Sequence, residues 1–318
     1  VKKLLSLFGA VTVLACAQAG AAPFADVLDT SAFSSPLAAK ELLESVSHAG
    51  RRLVAVGQRG HIVVSDDGGF QWKQSPVPVS SDLTSVFFAD AHEGWAVGHD
   101  GVILHSSDAG DTWKVQLSRR GGPDKSFLDV WFSDARTGFA VGADNLIYHT
   151  ADGGSTWQSW SDRTENPKSL NLHAIRLAGG TIYIAGEAGL VLRMDSATQR
   201  FVAVAVPYNG SFFGVADASG SVVLFGLRGN VFTSPDGRAW SHADAGLAAA
   251  VVAATHLPDG RLVLADAGGR ISTSADAGRT FVRLEPKPAA PVAGIAAASD
   301  ADLILVGPRG AVVAHVKK

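Results

Sequence analysis

The chain is poor in several of the residues that enzymes and small secreted modules depend on. It holds one cysteine in 318 residues. That residue, Cys16, lies near the N-terminus, so the rest of the chain can carry no disulfide framework. Charged residues make up only 18% against 47% hydrophobic, which rules out a disordered chain and allows a sizeable core. The formal net charge is −3, so there is no basic field to draw nucleic acid. The ten histidines show no metal-ligand spacing: His99 stands beside Asp100 in a turn, and His61, His105 and His149 recur as repeat positions. No glycine-rich loop opens a helix, and no nucleophile elbow is present. The expectation is a chain without metal, cofactor or catalytic residues.

The one long apolar run is N-terminal. Lys2 and Lys3, the apolar stretch Leu4–Ala15 and Ala17-Gln18-Ala19 read as a signal peptide over residues 1–22, too short to be a membrane span. The expectation is an exported, periplasmic protein whose single domain covers residues 23–318. Val13-Leu14-Ala15-Cys16 also passes as a loose lipoprotein box, which would anchor the chain through Cys16.

What the chain has in quantity is repetition. Segments 65–72 (SDDGGFQW), 106–113 (SSDAGDTW), 150–157 (TADGGSTW), 234–240 (SPDGRAW) and 274–281 (SADAGRTF) are copies of one Asp-box motif, with a worn copy at 194–201. The closing aromatics Trp72, Trp113, Trp157, Phe201, Trp240 and Phe281 step by 41, 44, 44, 39 and 41 residues. In phase with them run apolar strands ending in glycine, at 53–57, 94–98, 138–142, 182–186, 222–226 and 303–307, with Asp266 closing the copy at 261–266. Seven units of this period predict an all-β fold, a seven-bladed β-propeller of four-stranded antiparallel blades.

The boxes have a structural role in this reading. Ser65, Asp67 and Gly69, Ser106, Asp108 and Gly110, Thr150, Asp152 and Gly154, and Ser274, Asp276 and Gly278 supply turn hydrogen bonds and positive φ, and the aromatic packs between blades. The last unit has no box and no outer strand. The segment Phe24–Phe33 is therefore expected to supply that strand and close the ring.

The turns between the second and third strands of the blades share a face with the loops that join blades. Arg59, Arg228 and Arg309 occupy matching turn positions, and the long loops 118–125 and 161–168 add Arg119, Arg120 and Arg163. An arginine-bearing face suits carboxylates, because a guanidinium grips them two-pronged. An exposed turn arginine can equally be solvated or paired with Asp100 or Asp144.

Taken together, the SxDxGxTW-type boxes and the GWAVG and GFAVG strands resemble the photosystem II stability/assembly factor-like family, over nearly all of 40–316. The resemblance implies a non-enzymatic scaffold, monomeric on its own, that docks onto an integral membrane-protein complex. That complex would be photosystem-type or RND/MMPL transporter-type, and Arg59, Arg228 and Arg309 look like the family's arginine patch. Two other readings compete. A sialidase-like glycosidase also uses Asp boxes on a propeller, but needs a Tyr–Glu pair, and only Tyr148, Tyr183 and Tyr208 exist here. A carrier of hydrophobic cargo could use Phe212, Phe213 or Trp160.

Overall fold

A computed structural model describes residues 25–119 and 126–316. The signal-peptide and lipobox readings, with Cys16, and the loop residue Arg120 lie outside the described residues. The rest forms seven four-stranded antiparallel sheets in a ring. Blade 1 runs Leu43–Ala49 (strand a), Arg52–Gly57 (b), Ile62–Ser65 (c) and Lys73–Gln74 (d). Five more blades follow the same chain order, their a strands at Leu83–Phe88, Phe127–Phe132, Leu172–Ala178, Phe212–Ala218 and Val251–His256.

The apolar residues of strands b and c alternate into two faces, and each face meets the next blade. The core is accordingly seven clusters, one per blade interface. Between blades 1 and 2, for example, Val54, Val56 and Ile62 meet Leu83, Phe88, Leu104 and Trp113.

The glycine that ends strand b is dictated by space. A Cβ on Gly57, Gly98, Gly142 or Gly226 would sit 2.0–2.2 Å from the carbonyl oxygen at the start of the paired strand a. In blade 6 Asp266 replaces it. Its fully buried carboxylate accepts the N–H groups of Ala249, Gly268 and Arg270 and so holds the following turn.

The Asp boxes work as local hydrogen-bond cages. In blade 3 the Thr150 hydroxyl donates to Asp152 and accepts the Gly154 N–H at 2.8 Å, and Asp152 accepts both the N–H and the hydroxyl of Thr156. Blade 6 repeats this through Ser274, Asp276, Gly278 and Thr280. Each box also reaches back one blade. The Gly69 position abuts Ile304 of blade 7, Gly110 abuts Val54 of blade 1, and Gly278 abuts Val223 of blade 5.

These bonds favour the ionised carboxylate. The backbone N–H and the hydroxyl of Thr156 pull Asp152 down to about 2, and Thr280 does the same for Asp276. A carboxyl held low when folded contributes stability above its unfolded value of about 4, and loses it as pH falls towards 2. The melting temperature should therefore drop between pH 4 and pH 2. The double variant Asp152→Asn/Asp276→Asn should drop less over that window; an equal drop would mean that the boxes do not set acid sensitivity.

Ring closure departs from the sequence expectation. Blade 7 takes its a, b and c strands from Gly294–Ala297, Asp302–Gly307 and Gly310–Val316. Its outer strand is Pro286–Lys287, which pairs with His315 and Val316. The donor is thus the segment just after blade 6, not Phe24–Phe33. Residues 25–33 contain no strand and instead lie along blade 1, where the Ala32 N–H donates to the Val77 carbonyl and the Ser80 N–H donates to that of Val27. The ring closes by side-chain packing, with Leu43, Leu53 and Val63 of blade 1 against Ala296, Ile304 and Val306 of blade 7 and Trp72 at the margin.

Candidate functional site

The arginine face begins as turn geometry. In blades 1 to 5 the b–c turn is a single 3-10 turn whose middle residue is left-handed: Arg59, Asp100, Asp144, Ala188 and Arg228, with φ between 51° and 58°. That conformation turns the side chain away from the blade, at a cost of about 1–2 kcal/mol for a residue with a Cβ. Arg59, Arg228 and Arg309 are all exposed, and among the described residues none pairs with a carboxylate. Other arginines are tied down: Arg52 to Asp66 and Asp111, Arg261 to Asp259, Arg283 to Glu285.

The structure brings only part of the expected arginine set together. Arg59 and Arg309 stand on adjacent blades, while Arg228 is two blades further on. Arg309 reaches the face by another route, a two-residue Pro308-Arg309 turn between paired Gly307 and Gly310. Arg119 packs its stem over Gly101 and its guanidinium lies 5.8 Å from the Tyr148 ring centre. Arg163 lies 4.5 Å over Trp160. Blades 2 to 4 instead carry Asp100, Asp144 and Glu187 in these turns, with Arg119 and Arg163 in the loops between them.

The second feature of this face is the mouth of the ring axis. A cavity of about 190 Å³ is lined by all seven a strands. In blades 1 to 6 strand a carries a β-bulge that leaves its second residue out of register: Glu44, Thr84, Leu128, His173, Phe213 and Val252. A bulge re-aims the side chain, and here all six line the cavity. One position deeper, the buried Asp129 carboxylate accepts from Ser85 Oγ at 2.8 Å, from the Ile175 N–H at 2.8 Å and from Arg176 Nη1. It thereby ties blades 2, 3 and 4 together. The small third residue of strand a was readable in sequence, and an aspartate at that place in blade 3 was the available signal for this pair.

The polar lining of this axial cavity does not suit hydrophobic cargo. Phe212 is fully buried and Trp160 is packed against Phe139, so both serve the core. The tyrosines are placed by Arg119 (Tyr148), Arg193 (Tyr183) and Asn230 (Tyr208), with no glutamate partner among these contacts.

The fold is an Asp-box β-propeller, with turn arginines and a polar axial cavity on one face. The chain belongs to the family described as photosynthesis system II assembly factor YCF48, whose profile matches residues 48–126 and 120–214, together just over half of the chain. Curated relatives share short segments. The chloroplastic photosystem II stability/assembly factor HCF136 of Cyanidioschyzon merolae is 42% identical over 48 residues, covering 14% of this chain and 11% of the relative. HCF136 of Oryza sativa subsp. japonica is 36% identical over 70 residues, covering 20% and 17%. The photosystem II assembly lipoprotein Ycf48 of Synechococcus sp. is 34% identical over 62 residues, covering 18% of each. The chain thus spans less than a fifth of the length of each of these relatives. Among solved structures, YCF48 bound to D1 peptide superposes with a TM-score of 0.69 at 16% identity, over 88% of this chain and 93% of that one. YCF48 from Cyanidioschyzon merolae gives 0.67 at 17%, over 87% and 96%. At such identities these two matches speak to the fold.

Proposed function

We propose that this chain is an exported, non-enzymatic assembly factor that holds a segment of an integral membrane protein on its b–c face. Arg59 and Arg309 grip an acidic stretch or carboxylate terminus, Arg228 adds a contact further round the ring, and Arg119 and Arg163 extend the basic rim. The observation that carries the reading is the set of exposed turn arginines. Arg59 and Arg228 are held left-handed at an energetic cost, and they and Arg309 stand exposed without an ionic partner among the described residues. Family membership supports the assembly role, and one solved relative is named as bound to a D1 peptide. The acidic part of the bound segment lies over blades 7 and 1, where Arg309 and Arg59 stand on adjacent blades. The partner would be a photosystem-type or RND/MMPL transporter-type complex, met in the periplasm by a soluble or Cys16-anchored form. The test is whether an Arg59→Glu/Arg309→Glu form still captures a complex from solubilised membranes.

A further inference from the structure

Of the two carboxylates lining the axial cavity, one has nothing to hold. Asp129 is satisfied by Ser85, Ile175 and Arg176. Glu44, half-buried at the bulge of blade 1, has no hydrogen bond or ion pair among the described residues. Thr84 Oγ1 donates to the Phe127 carbonyl and His173 Nδ1 lies 2.8 Å from the Phe212 carbonyl oxygen, while Ser45 Oγ accepts the Val86 N–H and makes no hydrogen bond to Glu44. Glu44 and Asp129 against Arg176 leave the carboxylates of the cavity one in excess of its guanidinium. Burial pushes the Glu44 carboxyl up from its ordinary value, and the Asp82 carboxylate adds to this against the opposing pull of His99. A cation in the mouth would relieve both effects. The Phe213 ring, 5.3 Å from His173, lines the same cavity from blade 5 and offers a π-face to a cation there. The volume would hold about six waters, or a ligand of that size.

We propose that the axial pocket is a binding site for a primary ammonium group, with Glu44 as its counter-ion and the Phe213 ring alongside. The site stands independently of the arginine face. The ammonium can come from a free alkylamine or from a lysine side chain reaching into the mouth.

The test is an NMR titration of the isotope-labelled protein with n-butylammonium, with an acetylated and amidated lysine peptide, and with acetate as the opposite charge. Saturable shifts at Ser45, Ser85 and Phe213 are expected with n-butylammonium. In its presence the Glu44 carboxyl should titrate at lower pH. Glu44→Gln should weaken binding about tenfold or more, as for a lost hydrogen bond to a charged group. Glu44→Gln should melt like the parent, since no partner is lost. Binding of the peptide would assign the lysine source; binding of the amine alone would assign the free one. No saturable shift with either, saturable shifts with acetate only, or equal affinity in Glu44→Gln overturns the proposal.

Discussion

Asp129→Ala should cost about 3–5 kcal/mol of unfolding free energy, the range for breaking a buried ion pair from one side. The carboxylate is 4% exposed and holds three donors from two neighbouring blades. Alanine leaves the Ser85 hydroxyl and the Ile175 N–H without an acceptor and the Arg176 guanidinium with the Ile175 carbonyl but no counter-charge. Asp129→Asn keeps an acceptor oxygen but loses the charge, so it should cost less. Adding Arg176→Met to Asp129→Ala should recover part of the loss by removing the orphaned cation. Urea denaturation of the four proteins measures this. A loss below about 1 kcal/mol for Asp129→Ala would mean that the axis is wet enough to replace the carboxylate with water.

Gly142→Ala should cost about 3 kcal/mol, the upper end for forced overpacking, although the residue is in ordinary extended conformation. The added Cβ would lie 2.0 Å from the Ser126 carbonyl oxygen and 2.8 Å from the Phe127 Cα, so backbone rather than a side-chain tip has to move. Gly68 provides the control. It has φ +77° with nothing within 4 Å of a Cβ, so Gly68→Ala should cost only the left-handed penalty of about 1–2 kcal/mol. Equal losses in the two variants would show that strand b of blade 3 shifts freely against strand a.

Those two sites mark where the sequence could be read and where it could not. The period, the boxes and the glycine ending strand b are local: each depends on residues within one blade, and each repeats often enough to stand out. The reason for that glycine, a carbonyl at the start of the paired strand, was not legible, because it depends on the bulge. Asp266 stands where the other blades have that glycine and satisfies two N–H groups of its own turn and that of Ala249 ahead of strand a. The strand count leaves one outer strand missing from blade 7, and a segment on either side of that blade could supply it. The strand that fills the place is two residues long and includes a proline, which suits an edge and leaves no alternation to detect. The Asp129–Arg176 pair and the open carboxylate of Glu44 join blades that are distant in sequence, and no single repeat encodes them. The turn arginines were legible as positions. Their lack of partners became visible only beside the pairing of Arg52, Arg261 and Arg283.

The most direct test of the proposed platform is co-purification from mild-detergent-solubilised native membranes, with the parent and the Arg59→Glu/Arg309→Glu form side by side. Both residues are exposed and unpaired, so the two forms should melt alike. The account predicts one dominant integral-membrane complex with the parent and its loss with the variant. The same complex recovered equally by both forms would contradict the assignment of the b–c face.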